Sequence, residues 1–485
     1  MALINITDLT FSYDSSYDLI FDHVSFQIDT KWKLGFIGRN GRGKTTFLNL
    51  LLGKYDYLGT IQSNEIFEYF PFKVENDLTI NIIEDLVSNI EQWQIYKEFS
   101  LLQLEDEVLY REFNTLSKGE QTKILLAILF LKDHRFLLID EPTNHLDMEA
   151  RQIVSQYLNK KSGFILVSHD RSFLDGCIDH VLSINKTSIE IQKGNYSSWK
   201  LNKDYQDQYE LNQNEKIKKD IRRLDEATKR VAHWSDKIED SKIGHHVADR
   251  GFVGHKAAKM MKRSKNIEKR KLTQLDEKKK LLQNIEESSD LALHPLHYHS
   301  STLISVKDLS ITFDRPICKH ISFDLHSGDR IALIGKNGSG KSSIIRLLLG
   351  QQIPHTGEVS IGSQLKISYI NQDTGHLKGS LKDFATRHQI DESLFKTILR
   401  KLDFSRLQFE KNIEDFSGGQ KKKVLIAKSL CEQAHVYIWD EPLNFIDVLS
   451  RIQIENLIKE YQPTMIFVEH DIEFTNQIAT HKVYL

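Results

Sequence analysis

Short apolar runs alternate along this chain with longer stretches whose apolar residues recur at helical spacing. "KLGFIG" at 33–38, "FLLID" at 136–140 and "FILVSHD" at 164–170 read as buried strands. The stretches between them read as covering helices. Together they predict an α/β fold, a mostly parallel sheet with helices packed over it. From about 199 to 299 the pattern changes: Lys, Glu, Asp, Gln and Asn dominate, and no proline occurs before Pro295. Ile217, Ile221, Leu224, Val231, Trp234 and Ile238 recur at helical spacing in one arm, and Met260, Met261, Ile267, Leu275, Leu282 and Ile285 in a second. Gly244, Gly251 and Gly254 lie between, so the pattern predicts two long antiparallel helices joined at a tip. A disordered charged linker would lack that spacing.

The α/β pattern occurs twice. "GFIGRNGRGKTTFLNLLLG" at 35–53 returns as "ALIGKNGSGKSSIIRLLLG" at 332–350, and "LSKGEQTKILLAILF" at 116–130 as "FSGGQKKKVLIAKSL" at 416–430. "LLIDEPTNHLD" at 137–147 returns as "YIWDEPLNFID" at 437–447, and "FILVSHD" as "MIFVEHD" at 465–471. Four motifs in one order at offsets of 297 to 301 residues make two homologous domains, 1–198 and 300–485, around a linker at 199–299.

Composition narrows the class. The 485 residues suffice for two or three domains with a sizeable core. Net charge is −2, so the whole chain predicts no polyanion partner, yet 247–271 holds nine Lys or Arg against Asp249 and Glu268. Cys177, Cys318 and Cys431 lie far apart without paired spacing, which argues against a disulfide framework or zinc site and fits a reducing cytosol. The N-terminus lacks a basic stretch followed by an apolar run, and nothing approaches 18 consecutive apolar residues, so neither a signal peptide nor a membrane span is expected.

The repeated motifs carry phosphate chemistry. "GRNGRGKT" and "GKNGSGKS" fit the phosphate-binding loop, each after an apolar strand and before a helix. Gly38, Gly41 and Gly43, and Gly335, Gly338 and Gly340, let backbone N–H groups turn toward phosphates, with Asn40, Thr46, Asn337 and Ser343 beside them. Lys44 and Lys341 neutralise β/γ charge, and Thr45 and Ser342 ligate Mg²⁺. Asp140 and Asp440 end apolar strands and would hold Mg²⁺ through water, while Glu141 and Glu441 would orient or deprotonate the attacking water. His169 and His470 follow apolar strands; either is a strand-end core histidine or, as the fourth member of an ordered set, a partner of the γ-phosphate. Ser117 and Ser417 sit in glycine-bearing turns before helices, where they cap the helix and also create an anion site.

This set, twice in one chain, resembles the ATP-binding cassette superfamily. The resemblance implies that each ATP lies between the phosphate loop of one domain and the signature of the other. Site one would then use Lys44, Thr45, Asp140, Glu141 and His169 with Ser417 and Gly419; site two would use Lys341, Ser342, Asp440, Glu441 and His470 with Ser117 and Gly119. Tyr13 and Phe313 match the aromatic that stacks on adenine. Gln372 in "YINQD" matches a glutamine that contacts Mg²⁺ and water, but the corresponding residue in "YFPFK" is Phe72. The first signature also has Lys118 and Glu120 where the second has Gly418 and Gln420, so the two sites are expected to be unequal.

Two cassettes without membrane spans, joined by a charged helical pair, resemble the ABC-F family, and "DRGFVGHKAAKMMKRSK" is most similar to its Lsa-type antibiotic-resistance branch. The resemblance implies a cytoplasmic monomer whose two halves pair with each other around ATP and Mg²⁺. It would bind the 70S ribosome at the tRNA exit site and displace lincosamides, pleuromutilins and streptogramin A from the large subunit. Arms of 35–40 residues would reach roughly 50–60 Å at 1.5 Å per residue. Lys242, Arg250, Phe252, His255, Lys256, Lys259, Lys262 and Arg263 at the tip would then meet 23S rRNA and P-site tRNA; the alternative is a solvated charged face. Equal gaps from Phe72 to Ser117 and from Gln372 to Ser417 predict no inserted arm subdomain, and the short run after His470 predicts no C-terminal extension. Two other functions stay open: the ATPase subunit of a drug exporter, and a housekeeping factor for stalled ribosomes.

Overall fold

A computed structural model of the chain describes residues 3–13, 19–87, 90–132, 134–144, 146–184, 189–240, 262, 266, 269, 291–313 and 316–485. In the first half, strands Ile66–Phe70, Arg135–Asp140, Phe164–Val167, Lys33–Ile37 and His180–Ile184 lie side by side in that order, all parallel, with Ile189–Lys193 antiparallel at the edge. The second half repeats this with Ile367–Ile370, Val436–Asp440, Met465–Val468, Arg330–Ile334 and His481–Tyr484, all parallel. Buried on both faces, the central strands are continuously apolar: Phe164–Val167 and Met465–Val468 have every residue buried. The predicted α/β architecture is therefore present in both halves.

Each half also carries a three-stranded antiparallel sheet that the apolar runs did not announce. Leu3–Phe11 pairs with Phe21–Asp29 and Leu58–Gln62, and Thr302–Thr312 with Pro316–His326 and His355–Ile361. These strands bury one face only, so their apolar residues alternate with polar ones and form no continuous run.

The parallel strands all point their C-terminal ends toward one edge, where ligands bind in open α/β sheets. The phosphate loops follow Lys33–Ile37 and Arg330–Ile334, and Asp140 and Asp440 end neighbouring strands. The chain divides into two compact units, Met1–Trp199 with Ser288–Leu485, and Lys200–Glu287. A 45-residue helix, Tyr196–Asp240, opens the linker and exceeds the 35–40 residues expected of an arm. Leu291, Leu293 and Tyr298 are buried among the core residues of the second half. Lys262 is helical and exposed. The second arm's other apolar positions and the tip residues Lys242, Arg250, Phe252, His255, Lys256, Lys259 and Arg263 lie outside the described residues.

Candidate nucleotide sites

The phosphate loops are shaped by glycine at the two positions where the backbone turns left-handed. Gly41 and Gly43 have φ of 83° and 94°, Gly338 and Gly340 84° and 95°, a region costly for any residue with a Cβ. Helices Lys44–Leu51 and Lys341–Leu348 start directly after, without side-chain caps, so their first N–H groups stay available to an anion. Both lysines fold back over their loops. Lys44 Nζ donates to the carbonyls of Gly38 at 2.6 Å and Arg39 at 3.2 Å; Lys341 Nζ donates to those of Gly335 at 2.7 Å and Lys336 at 2.8 Å. Burial pulls both ammonium groups below their usual range.

Hydroxyl and carboxylate meet where a hard cation would sit. Thr45 Oγ1 donates to Asp140 Oδ2 at 3.0 Å, and Ser342 is bonded likewise to Asp440. Burial pushes both aspartates upward, and among the described residues Asp440 Oδ1 is a buried oxygen without a hydrogen-bond partner. Oxygen donors of this kind, held beside a helix N-terminus without a side-chain cap, fit Mg²⁺ with a triphosphate.

The adjoining glutamates sit in different surroundings. Both have left-handed backbones, φ 52° at Glu141 and 48° at Glu441, a strained state that the strand ends hold through N–H bonds to Val167 and Val468. Glu441 is wrapped in donors: Gln372 Nε2 at 2.9 Å, Asn444 Nδ2 at 2.6 Å and His470 Nε2 at 3.3 Å. Its burial alone would raise its pKa, but His470, Gln372 and Lys422 outweigh that and bring it to about 2. Glu141 lies 3.4 Å from His169 Nε2, and its Oε1 has no hydrogen bond among the described residues. Burial and the charge of Asp140 push it up to about 8. Burial, then Lys44 and Arg451, keep His169 well below the histidine range; its Nε2 lies 3.1 Å from Asn40 Oδ1.

Phe72 fills no metal position: it packs on the core of the first half with Lys132 over its ring. Tyr69, three residues earlier, donates to Asp140 Oδ2 at 2.9 Å. The sequence motifs did not single out Tyr69; its counterpart Tyr369 donates to Asn371 Oδ1 instead, at 3.3 Å. Asn444 was also passed over, although it stands in the repeated "PTNHLD/PLNFID" segment.

The two halves close on each other at both sites. A cavity of about 390 Å³ at site one is lined by Asn40, Gly41, Lys44, Thr45, Asp140, Glu141 and His169 from the first half and by Ser417, Gly418, Gly419 and Phe445 from the second. Asn40 Nδ2 donates to the Phe445 carbonyl at 2.9 Å. At site two, a cavity of about 480 Å³ is lined by Asn337, Gly338, Gly340, Lys341, Ser342, Ser343, Gln372, Glu441 and His470, and from the first half by Lys118, Asn144 and Leu146. Ser117 and Gly119 are not among that cavity's lining residues. Both serines cap their helices, Ser117 Oγ accepting from the Glu120 N–H at 3.2 Å and Ser417 Oγ from the Gln420 N–H at 3.3 Å, but Ser117 Oγ also donates to Glu120 Oε2 at 2.7 Å. Tyr13 is 37% exposed, leans on Phe11 and Tyr55, and bonds Thr46 at 2.8 Å; Phe313 is 50% exposed. Neither Tyr13 nor Phe313 is among the lining residues of the two cavities described above. Gly35, before the phosphate loop, is a packing position: a Cβ there would meet Ile178 at 2.5 Å.

Comparison with known proteins agrees with this geometry. The sequence model of one family, described as ABC transporter, matches residues 21–144 and 318–444. Ribosome protection protein VmlR of Bacillus subtilis (strain 168) is 28% identical over 497 residues, covering 99% of this chain and 86% of that protein. ATP-binding protein Uup of Buchnera aphidicola subsp. Acyrthosiphon pisum (strain APS) is 28% identical over 506 residues, covering 99% and 80%. Among solved structures, a complex of an archaeal ribosomal stalk protein with the archaeal ribosome recycling factor aABCE1 shares the fold, with a TM-score of 0.64 and 18% identity over 98% of this chain and 87% of that one.

Proposed function

Because this chain belongs to the ABC transporter family, as a tandem-cassette ATPase of its ABC-F group, we propose that it is a ribosome protection protein. ATP with Mg²⁺ binds at both composite sites. Lys44 and Lys341 contact the β/γ-phosphates, Thr45 with Asp140 and Ser342 with Asp440 hold the metal, and Tyr13 and Phe313 stack on adenine. Glu441 and Glu141 face the attacking water, and His470 and His169 contact the γ-phosphate. The metal supplies charge neutralisation when bound; the chain's own groups position and deprotonate.

In this reading, binding holds the halves together, the closed form docks at the tRNA exit site of the 70S ribosome, and the basic linker segment contacts 23S rRNA and P-site tRNA. Lincosamides, pleuromutilins and streptogramin A are displaced, and hydrolysis releases the protein. The single observation that carries the reading is the end-to-end likeness, linker included, to a ribosome protection protein. It is supported by the absence, among the described residues, of any helix long and apolar enough to cross a membrane.

The test is growth of a susceptible strain expressing this chain on each drug class. The proposal expects raised tolerance, abolished when Arg250, Lys256, Lys259, Lys262 and Arg263 are changed to Ala or when Lys44 and Lys341 are. No gain in tolerance, with restored growth of a strain stalled in elongation, would replace the proposal with a housekeeping role. Co-purification with a membrane protein rather than ribosomes would replace it with export.

A further inference from the structure

Arg171 is buried in the first cassette, and its counter-ions lie in the second. Both terminal nitrogens meet the Glu455 carboxylate, Nη1 at 3.2 Å and Nη2 closer. Asp471 Oδ2 lies 3.7 Å from Nη2, and Glu473 Oε2 lies 3.3 Å from Nε. Glu455 and Asp471 are as buried as Arg171. These positions adjoin the histidines of both sites. Arg171 comes two residues after His169 and opens helix Arg171–Cys177. Asp471 follows His470 and caps helix Ile472–Ile478. Glu455 stands on helix Val448–Tyr461, which Asp447 caps and whose Arg451 also binds Asp471, at 3.1 Å.

The contact is one-sided. The positions matching Arg171 and Glu455 in the opposite halves are Ile472 and Ser155, which carry no charge. Pairing of two like domains does not by itself require it. One turn further along the Arg171 helix, Asp175 accepts the Ser197 N–H at 2.8 Å and also bonds its hydroxyl, at the start of the linker helix. Tyr196 is buried beside it. A desolvated, bidentate ion pair tolerates little displacement, because its attraction offsets the cost of burial only in good geometry. It therefore contributes to one arrangement of the cassettes and not to others.

We propose that Arg171 is a positioning residue that couples the two ATP sites: its pairing with Glu455 forms in the closed arrangement, whichever site holds nucleotide. ATP at one site then prepays closure for the other, which is positive coupling. The proposal rests on the ATP-site reading above and is independent of the ribosomal one.

The test uses the purified full chain carrying Glu141→Gln and Glu441→Gln, with binding of a fluorescent (mant-) ATP and Mg²⁺ as readout. The expected result is cooperative binding, the second site gaining about 5-fold or more in affinity, within the usual range of allosteric coupling. Arg171→Met with Glu455→Met replaces the pair by apolar groups, so the nucleotide-free melting midpoint should hold while the coupling falls to none. Arg171→Lys keeps the charge without the fork and should lose coupling in part; it decides the matter if the Met pair fails to fold. Non-cooperative binding in the parent, or coupling that survives in the variants, would overturn the proposal. A parent that binds no mant-ATP at all would instead overturn the ATP-site reading.

Discussion

At the scale of single residues, the two glutamates separate sites that share a motif. Glu441 is ionised and held by three donors, aimed to orient the attacking water; Glu141, at about 8, keeps its proton near neutrality. Single-turnover hydrolysis should therefore fall by about 10²-fold or more in Glu441→Gln, the usual worth of a positioned base, and much less in Glu141→Gln. The pH profiles should differ too. In Glu441→Gln the residual turnover belongs to site one and should rise from pH 7 to 9 as Glu141, at about 8, loses its proton. In Glu141→Gln it belongs to site two and should be flat there, since Glu441, at about 2, is already charged. Equal losses, or the opposite profiles, would contradict the assignment. The raised Glu141 also lowers stability as pH climbs toward 8, because the folded chain keeps a proton that the unfolded chain has released. Motif reading foresaw inequality from Phe72 and Gln372. It missed Tyr69 on Asp140 and Asn444 on Glu441, because those contacts are set by how strands and loops meet in space.

At the scale of elements, the signature helix Gly418–Cys431 shows why glycine is required at one position. A Cβ on Gly419 would stand 2.4 Å from the Phe445 carbonyl oxygen and 3.0 Å from Asn40 Nδ2 across the interface. Gly419→Ala should cost the helix nothing, since alanine is the better helix former. It should instead shift the Phe445 backbone of its own half, whose carbonyl accepts from Asn40 across the interface, and so disturb site one. Overpacking of about 1–3 kcal/mol corresponds to about a 5- to 150-fold loss of mant-ATP affinity; unaltered affinity would contradict this. The strands and phosphate-loop helices were legible because their apolar runs and glycines are local signals. The antiparallel sheets were not, because half-buried strands such as Leu3–Phe11 dilute their apolar residues with polar ones. The capping by Ser117 was legible, but its further hydroxyl bond to the Glu120 carboxylate was not.

At the scale of the whole molecule, duplication was visible in the offsets alone, whereas the pairing of each phosphate loop with the opposite half came from the resemblance to ATP-binding cassettes. The buried cluster at Arg171 was not visible, since its two partners are 284 residues apart and have no charged counterparts in the repeat. In the proposed function, ATP held between the halves makes this chain a ribosome binder. Sedimentation of the Glu141→Gln/Glu441→Gln chain with 70S particles tests it most directly. The expected result is stoichiometric co-sedimentation with ATP and Mg²⁺, little without nucleotide, and loss when the linker's basic residues are neutralised. A chain that binds ATP at both sites yet stays in the supernatant would contradict it.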